Sequence, residues 1–281
     1  MEKEKKLLSV KYDVIFRLFF ADERNEEDLI NFLKSILKLP EEDYQAIVIA
    51  DPHLLPEYVG DKLSIIDVKL YLKSGKIIHI EIQLKVSSDL KQRVVLYVSK
   101  MITEQIGSGD DYDKIKQVIS LIITNEDLIK NSPRYHHRFT LYDIDAQVEL
   151  TDIIELHTLE LGKLPQKPDG TELYDWGKFI DAETEEELEV IAQRNPQVGK
   201  AVVKLRELSA DERARDLFER REKARRDIAS LVKDGREEGL QEGIQQGIRK
   251  VALKLLKQNK PIEEIMEATD LTRDEIELLS Y

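Results

Sequence analysis

The chain of 281 residues contains no cysteine. That absence excludes disulfide frameworks, thiolate metal sites and cysteine nucleophiles, and it fits a reducing compartment. Long apolar runs are missing as well. No stretch approaches the roughly 18 residues that a membrane span needs, and the opening MEKEKKLLSV carries no signal-peptide core. The expectation is a cytoplasmic protein that does not enter a membrane. Positive charge is scarce: 43 Lys and Arg stand against 56 Asp and Glu, a net charge of −13, which argues against a polycationic nucleic-acid coat. What is present is 41% hydrophobic and 35% charged residues, the composition of a soluble globular chain with a heavily charged helical part, long enough for two domains.

The positive charge that exists is unevenly placed. Residues 61–100 hold eight basic side chains (Lys62, Lys69, Lys73, Lys76, Lys85, Lys91, Arg93 and Lys100) against four acidic ones. Before this window, residues 12–38 show two amphipathic helical stretches. Val14, Phe16, Leu18 and Phe19 mark the first; Leu29, Phe32, Leu33, Ile36 and Leu37 mark the second, and Pro40 ends the pattern. Strand-like runs follow at 46–50, 63–72 and 76–86. A helix is expected from Ser87 or Ser88 to Ile106, then an apolar strand over 118–123 and further strands over 138–145 and 148–161. The order β-β-α-β predicts an α/β core.

After about residue 181 strand signals vanish and helix formers dominate. Gly235, Gly239, Gly243 and Gly247 recur every four residues among Lys, Glu and Gln. A single glycine costs a helix about 1 kcal/mol relative to alanine, so four together predict either a smooth stripe that admits a close helical partner or a half-formed flexible linker. The stripe predicts a homodimer or higher homo-oligomer through the C-terminal helices. Residues 251–281 read as three short helices, with Pro261 and Thr272 at helix starts, and as a small interaction module. The expected organisation is an α/β domain over 1–180, a charged helical region over 181–234, and a glycine-repeat helix with its module over 235–281.

The informative piece is a hairpin. The runs 64–72 (SIIDVKLYL) and 76–85 (KIIHIEIQLK) both alternate, joined by Lys73-Ser74-Gly75. On the first, Ile66, Val68, Leu70 and Leu72 share one face and Asp67, Lys69 and Tyr71 the other. On the second, Ile78, Ile80, Ile82 and Leu84 oppose His79, Glu81, Gln83 and Lys85. A three-residue loop with Gly75 in the left-handed conformation sets Asp67 opposite Glu81. Their Cβ atoms would then lie about 4.5 to 5.5 Å apart. Two carboxylates so close repel unless something neutralises them, and a hard divalent cation such as Mg²⁺ suits oxygen ligands. Lys69 and Lys85 share that face, where a phosphodiester could meet them. An ordinary solvated hairpin face would show the same alternation.

The order of Tyr12, Asp13, Phe16 and Phe19, then Ile66-Asp67-Val68, Ile80-Glu81-Ile82-Gln83, Arg93 and Tyr97, and Gly109-Asp110-Asp111-Tyr112 resembles the family of recombination-promoting nucleases and transposases within the PD-(D/E)XK superfamily. The likeness extends over nearly the whole chain, including the region around Leu205, Leu208, Ser209, Asp211 and Glu212. It implies a restriction-endonuclease-like α/β core, a mixed sheet flanked by helices, followed by an all-helical C-terminal region. It implies that Asp67 and Glu81 hold Mg²⁺ or Mn²⁺. Gln83 stands where the superfamily has lysine; a glutamine can orient water or a phosphate oxygen but supplies no positive charge, which leaves that part to Lys85. Ile66 stands where the superfamily motif has proline. Asp13 is either a further carboxylate or an ordinary helix-start acid. Arg93 and Tyr97, at i and i+4, are either a phosphate contact with its support or a plain surface pair. His136 and His137, neighbours on a strand, point to opposite faces and cannot readily share one metal.

The resulting expectation is a metal-dependent DNA endonuclease in which Asp67, Glu81, Gln83 and Lys85 carry the chemistry and Lys69, Arg93 and Tyr97 contact DNA. Sequence specificity should be low, because no helix presents several exposed Arg or Asn residues to base edges. From the resemblance, its role would concern recombination, mobile elements or defence. The rival expectation is a catalytically weak or inactive nuclease-fold protein that binds DNA or assembles.

Overall fold

The computed structural model describes residues 7–50 and 68–279. The chain divides into two compact units, Met1–Phe218 and Glu219–Tyr281. The first opens with α1 (Asp13–Phe20) and α2 (Glu26–Ile36), whose buried residues Phe16, Phe19, Phe20, Leu29, Phe32 and Leu33 fall at helical spacing. Strands β1 (Ile47–Ala50), β2 (Val68–Leu72) and β3 (Ile77–Gln83) form an antiparallel meander. After α3 (Leu90–Thr103), β4 (Val118–Thr124) joins β3 in parallel. The final strands, β5 (His136–Asp143) and β6 (Val148–Glu160), pair antiparallel, with β6 parallel to β4. The sheet order is β1-β2-β3-β4-β6-β5.

The β2–β3 hairpin has the expected register: Val68 pairs with Ile80 and Lys69 with His79. Gly75 has φ of 85°. A residue with a Cβ is strained there, and the Lys116 side chain already lies within 3.2 Å of where that atom would be. Helix α3 starts later than expected, at Leu90. The Ser87 carbonyl accepts from the Leu90 amide in a turn, and Asp89, not a serine, occupies the N-cap.

One face of the sheet is apolar across β2, β3 and β4. Val68, Leu70, Ile78, Ile80, Leu121 and Ile123 pack in one core with the α1 and α2 aromatics and with Trp176 and Phe179 of α4 (Glu172–Asp181). Each such burial stabilises by about 1.5 to 3 kcal/mol. Helices α5 (Glu185–Arg194) and α6 (Pro196–Ala210) belong to the same core through Leu188, Ile191, Val202 and Leu205. Helix α5 packs on α4 and α6, and α6 packs on α2 and α4, so the first helices after residue 180 bury their apolar stripes in that core.

The other face is covered by α3, which buries Leu90, Val94, Val98 and Met101. Val98 and Met101 meet Ile77 and Val118, while Leu90 and Val94 meet Ile122 and Leu128. The hairpin face that strand alternation alone left open to solvent is thus roofed, and Lys69, His79 and Glu81 are buried beneath it.

In Glu219–Tyr281 the first of the three short helices expected after residue 250 is the end of α7 (Glu212–Lys257), a helix of 46 residues that contains all four repeated glycines. A Cβ at any of them would meet nothing within 4 Å. Helices α8 (Ile262–Thr269) and α9 (Arg273–Leu278) close a small core of Ala252, Ile265 and Ile276. Thr272 caps α9, its hydroxyl accepting from the Glu275 amide while the Glu275 carboxylate accepts from the Thr272 amide.

Candidate functional site

The hairpin places Glu81 near the carboxyl end of β3, on the face roofed by α3. Its side chain is 5% exposed. Oε1 accepts from Arg93 Nη2 at 2.7 Å and from Gln83 Nε2 at 3.1 Å, whereas Oε2 is buried with no hydrogen-bond partner. Burial pushes the Glu81 carboxyl above its usual range, opposed by the Arg93 charge and by both hydrogen bonds. An acceptor left without a donor in such a place is costly, about 1 to 3 kcal/mol. It is also an oxygen free to meet a cation.

Two residues back, His79 is wholly buried. Its Nδ1 lies 3.0 Å from Ser120 Oγ, Nε2 has no partner, and the ring meets Tyr97 edge-on with centroids 6.0 Å apart. Burial, reinforced by the Lys69 charge, lowers its pKa to about 4. Lys69, opposite His79, is 3.8 Å from the Glu104 carboxylate and 5.3 Å from the Tyr71 ring centroid. Of the residues singled out from the sequence, the fold therefore gathers Glu81, Gln83, Arg93, Tyr97 and Lys69 between the β2–β3 hairpin and α3.

Other expectations meet a different outcome. Strand β3 ends at Gln83, three residues before the expected end, so Lys85 lies in an exposed bend where alternation no longer sets its direction. Asp67 lies outside the described residues, as does Ile66. Asp13 opens α1, whose inner side packs on the opposite face of the sheet from Glu81. His136 and His137 diverge as expected: His136 Nε2 meets His157 Nδ1 at 2.9 Å on one face, and His137 Nδ1 lies 3.3 Å from Thr158 Oγ1 on the other.

Sequence reasoning missed a second group of polar residues on the site face. The parallel register puts Gln83, Thr124 and Glu160 in one row across β3, β4 and β6. Glu160 is fully buried and bonds Lys163 at 2.7 Å. The alternating Glu155-Leu156-His157-Thr158-Leu159-Glu160 was the available signal, since polar residues on both faces of a central strand need partners. Among the described residues, no three His, Asp or Glu side chains form a metal-binding group.

A mixed six-stranded sheet flanked by helices, with an acidic side chain near the carboxyl end of a central strand, is the layout of the PD-(D/E)XK fold. A family model described as PD-(D/E)XK nuclease family transposase matches residues 10–235, and the chain belongs to that family. No curated protein and no solved structure matches it. Among the described residues, no helix is long and apolar enough to cross a membrane.

Proposed function

We propose that the protein is a metal-dependent DNA endonuclease of low sequence specificity, acting in recombination, on mobile elements or in defence, within the cytoplasm. The observation that carries this reading is Glu81: a buried carboxylate with one unpartnered oxygen, at the carboxyl end of a central strand where open α/β sheets bind ligands. Glu81 suits a hard cation, and Asp67 and Glu81 together would hold Mg²⁺ or Mn²⁺. When bound, such an ion lowers the pKa of a coordinated water and offsets charge building on the phosphate. Gln83, already hydrogen-bonded to Glu81, would orient that carboxylate and the water. Lys85 would supply positive charge beside the phosphate. Arg93, with 28% of its side chain exposed, would turn from Glu81 towards a DNA phosphate, with Tyr97 and Lys69 supporting that wall.

The decisive experiment is incubation with supercoiled plasmid in Mg²⁺ and in EDTA. Cleavage only with metal, lost in Asp67→Ala and in Glu81→Ala, supports the reading. Clean wild type that never cuts overturns it. A second reading is favoured by the Arg93 and Gln83 bonds to Glu81, which fill one carboxylate oxygen from within: a nuclease fold kept for DNA binding or assembly. It predicts DNA binding that is indifferent to metal, without cleavage. In either reading the α7 glycines favour a homodimer or larger homo-oligomer built through the C-terminal helices.

A further inference from the structure

The end of β6 and the loop that follows β4 are tied together by one buried carboxylate that the proposed reaction does not use. Glu160 Oε2 accepts from the Leu128 and Ile129 amides at 2.8 and 3.1 Å and from Lys163 Nζ at 2.7 Å. Lys163 in turn donates to the Ile129 carbonyl at 2.6 Å. The loop over residues 125–129 is thus held at both its amides and its carbonyl. Gly162 lets it come close, because a Cβ there would lie 2.4 Å from the Asn125 carbonyl oxygen.

That loop reaches the segment after β3. The Thr124 hydroxyl donates to the Glu126 carbonyl at 2.8 Å, and the Glu126 carboxylate accepts from the Val86 amide at 2.9 Å. Val86, Leu128 and Ile129 also pack with Leu90 and Val94 of α3. Val86 follows Lys85 in the chain, and Val94 follows Arg93.

We propose that Glu160 is a positioning residue: through the loop over 125–129, and above all through Glu126, it fixes the bend that carries Lys85 and the start of the helix that carries Arg93. The proposal rests on the nuclease reading for its effect on catalysis. Its structural content stands apart from that reading. Outer partners of a metal site characteristically set rates without touching substrate, and their loss costs roughly 10-fold to 100-fold.

Three variants test it. Glu126→Ala alters an exposed side chain and releases the Val86 amide directly. Glu160→Gln keeps the shape but removes the charge that Lys163 and two amides share. Gly162→Ala pushes the loop away through the Asn125 carbonyl. Amide hydrogen exchange should show Val86 losing protection in all three, although neither Glu160 nor Gly162 is hydrogen-bonded to it. In plasmid cleavage, Glu126→Ala should lower the rate roughly 10-fold and add nothing further in a Lys85→Ala background. Unchanged Val86 protection in a folded Glu160→Gln, or losses from Glu126→Ala and Lys85→Ala that multiply, overturns the proposal. If Glu160→Gln does not fold, Gly162→Ala decides by Val86 protection and Glu126→Ala by the cleavage rate, unchanged protection in the former overturning the proposal. If wild type never cuts, the nuclease reading falls and hydrogen exchange still decides whether the relay exists.

Discussion

At the scale of single residues, most of the described buried polar atoms that lack a hydrogen bond lie on one sheet face or on the helix that covers it. Among the described residues, His79 Nε2, Glu81 Oε2, Arg93 Nε, His137 Nε2 and Glu160 Oε1 have no hydrogen-bond partner and belong to the sheet face beneath α3 or to α3 itself, Glu160 Oε1 lying 3.3 Å from His137 Nδ1. Native interiors leave few such groups, so their concentration points to function. On the opposite face the polar groups are satisfied. His136, His157, Glu155 and Arg138 form a chain, with Glu155 accepting from Arg138 at 2.8 Å and bonding His157 at 2.6 Å.

This chain gives a pH dependence with a definite sign. Burial, with His157 beside it, lowers the His136 pKa from 6.5 to about 4. The folded state therefore prefers neutral His136, a contribution complete above pH 6.5 and lost as pH falls towards 4. Burial would raise the Glu155 pKa, but bonds from His157 and Arg138 outweigh it and bring it to about 2. Its contribution is present above pH 4.5 and is lost as pH falls through 2. Thermal unfolding followed from pH 7 to pH 4 should show a decline on the order of 1 kcal/mol from His136 after allowance for its partial exposure. His136→Gln should reduce the overall decline, leaving the part that buried His79 contributes over the same range, and an unchanged slope would contradict the assignment.

At the scale of elements, the hairpin and its roof explain how much of the site was legible. The β2–β3 register could be read because alternation and a left-handed Gly75 both constrain it, and a slip of one residue would turn every side chain to the wrong face. Gly75→Ala should therefore destabilise the protein by about 1 kcal/mol or more, measurable as a lower urea midpoint. The roof was not legible. Val94, Val98 and Met101 announce an amphipathic helix, but not which sheet face it covers, so the burial of Lys69, His79 and Glu81 had to come from the fold. Val98→Ala should cost about 1 to 3 kcal/mol and, by loosening α3 over Glu81, lower cleavage as well. Equal activity per folded molecule would separate the helix from the site.

At the scale of the whole molecule, the proposed binding of DNA to so acidic a chain would have to go through local charge. The basic excess over 61–100 is small, so few counterions are released and the salt dependence of binding should be shallow, with a slope near −0.9 per phosphate contact. A filter-binding series in KCl would measure it; a slope of zero would exclude a backbone interface. The exposed glycines of α7 lead to a second expectation: light scattering should report an oligomer for the full chain and a smaller species for a truncation at Lys233. A monomer in both cases would remove the glycine stripe as an interface.

The linear pattern was enough to determine the α/β core, the hairpin register, the divergence of His136 from His137 and the cap at Thr272, because each depends on neighbours a few residues apart. Only the tertiary structure decided that α5 and α6 share the core of the sheet, that α3 buries the Glu81 face, and that Glu160 ties the end of β6 to the loop after β4. Those outcomes depend on partners tens of residues away, and local periodicity states that an apolar stripe or a buried carboxylate needs a partner without saying which one it meets.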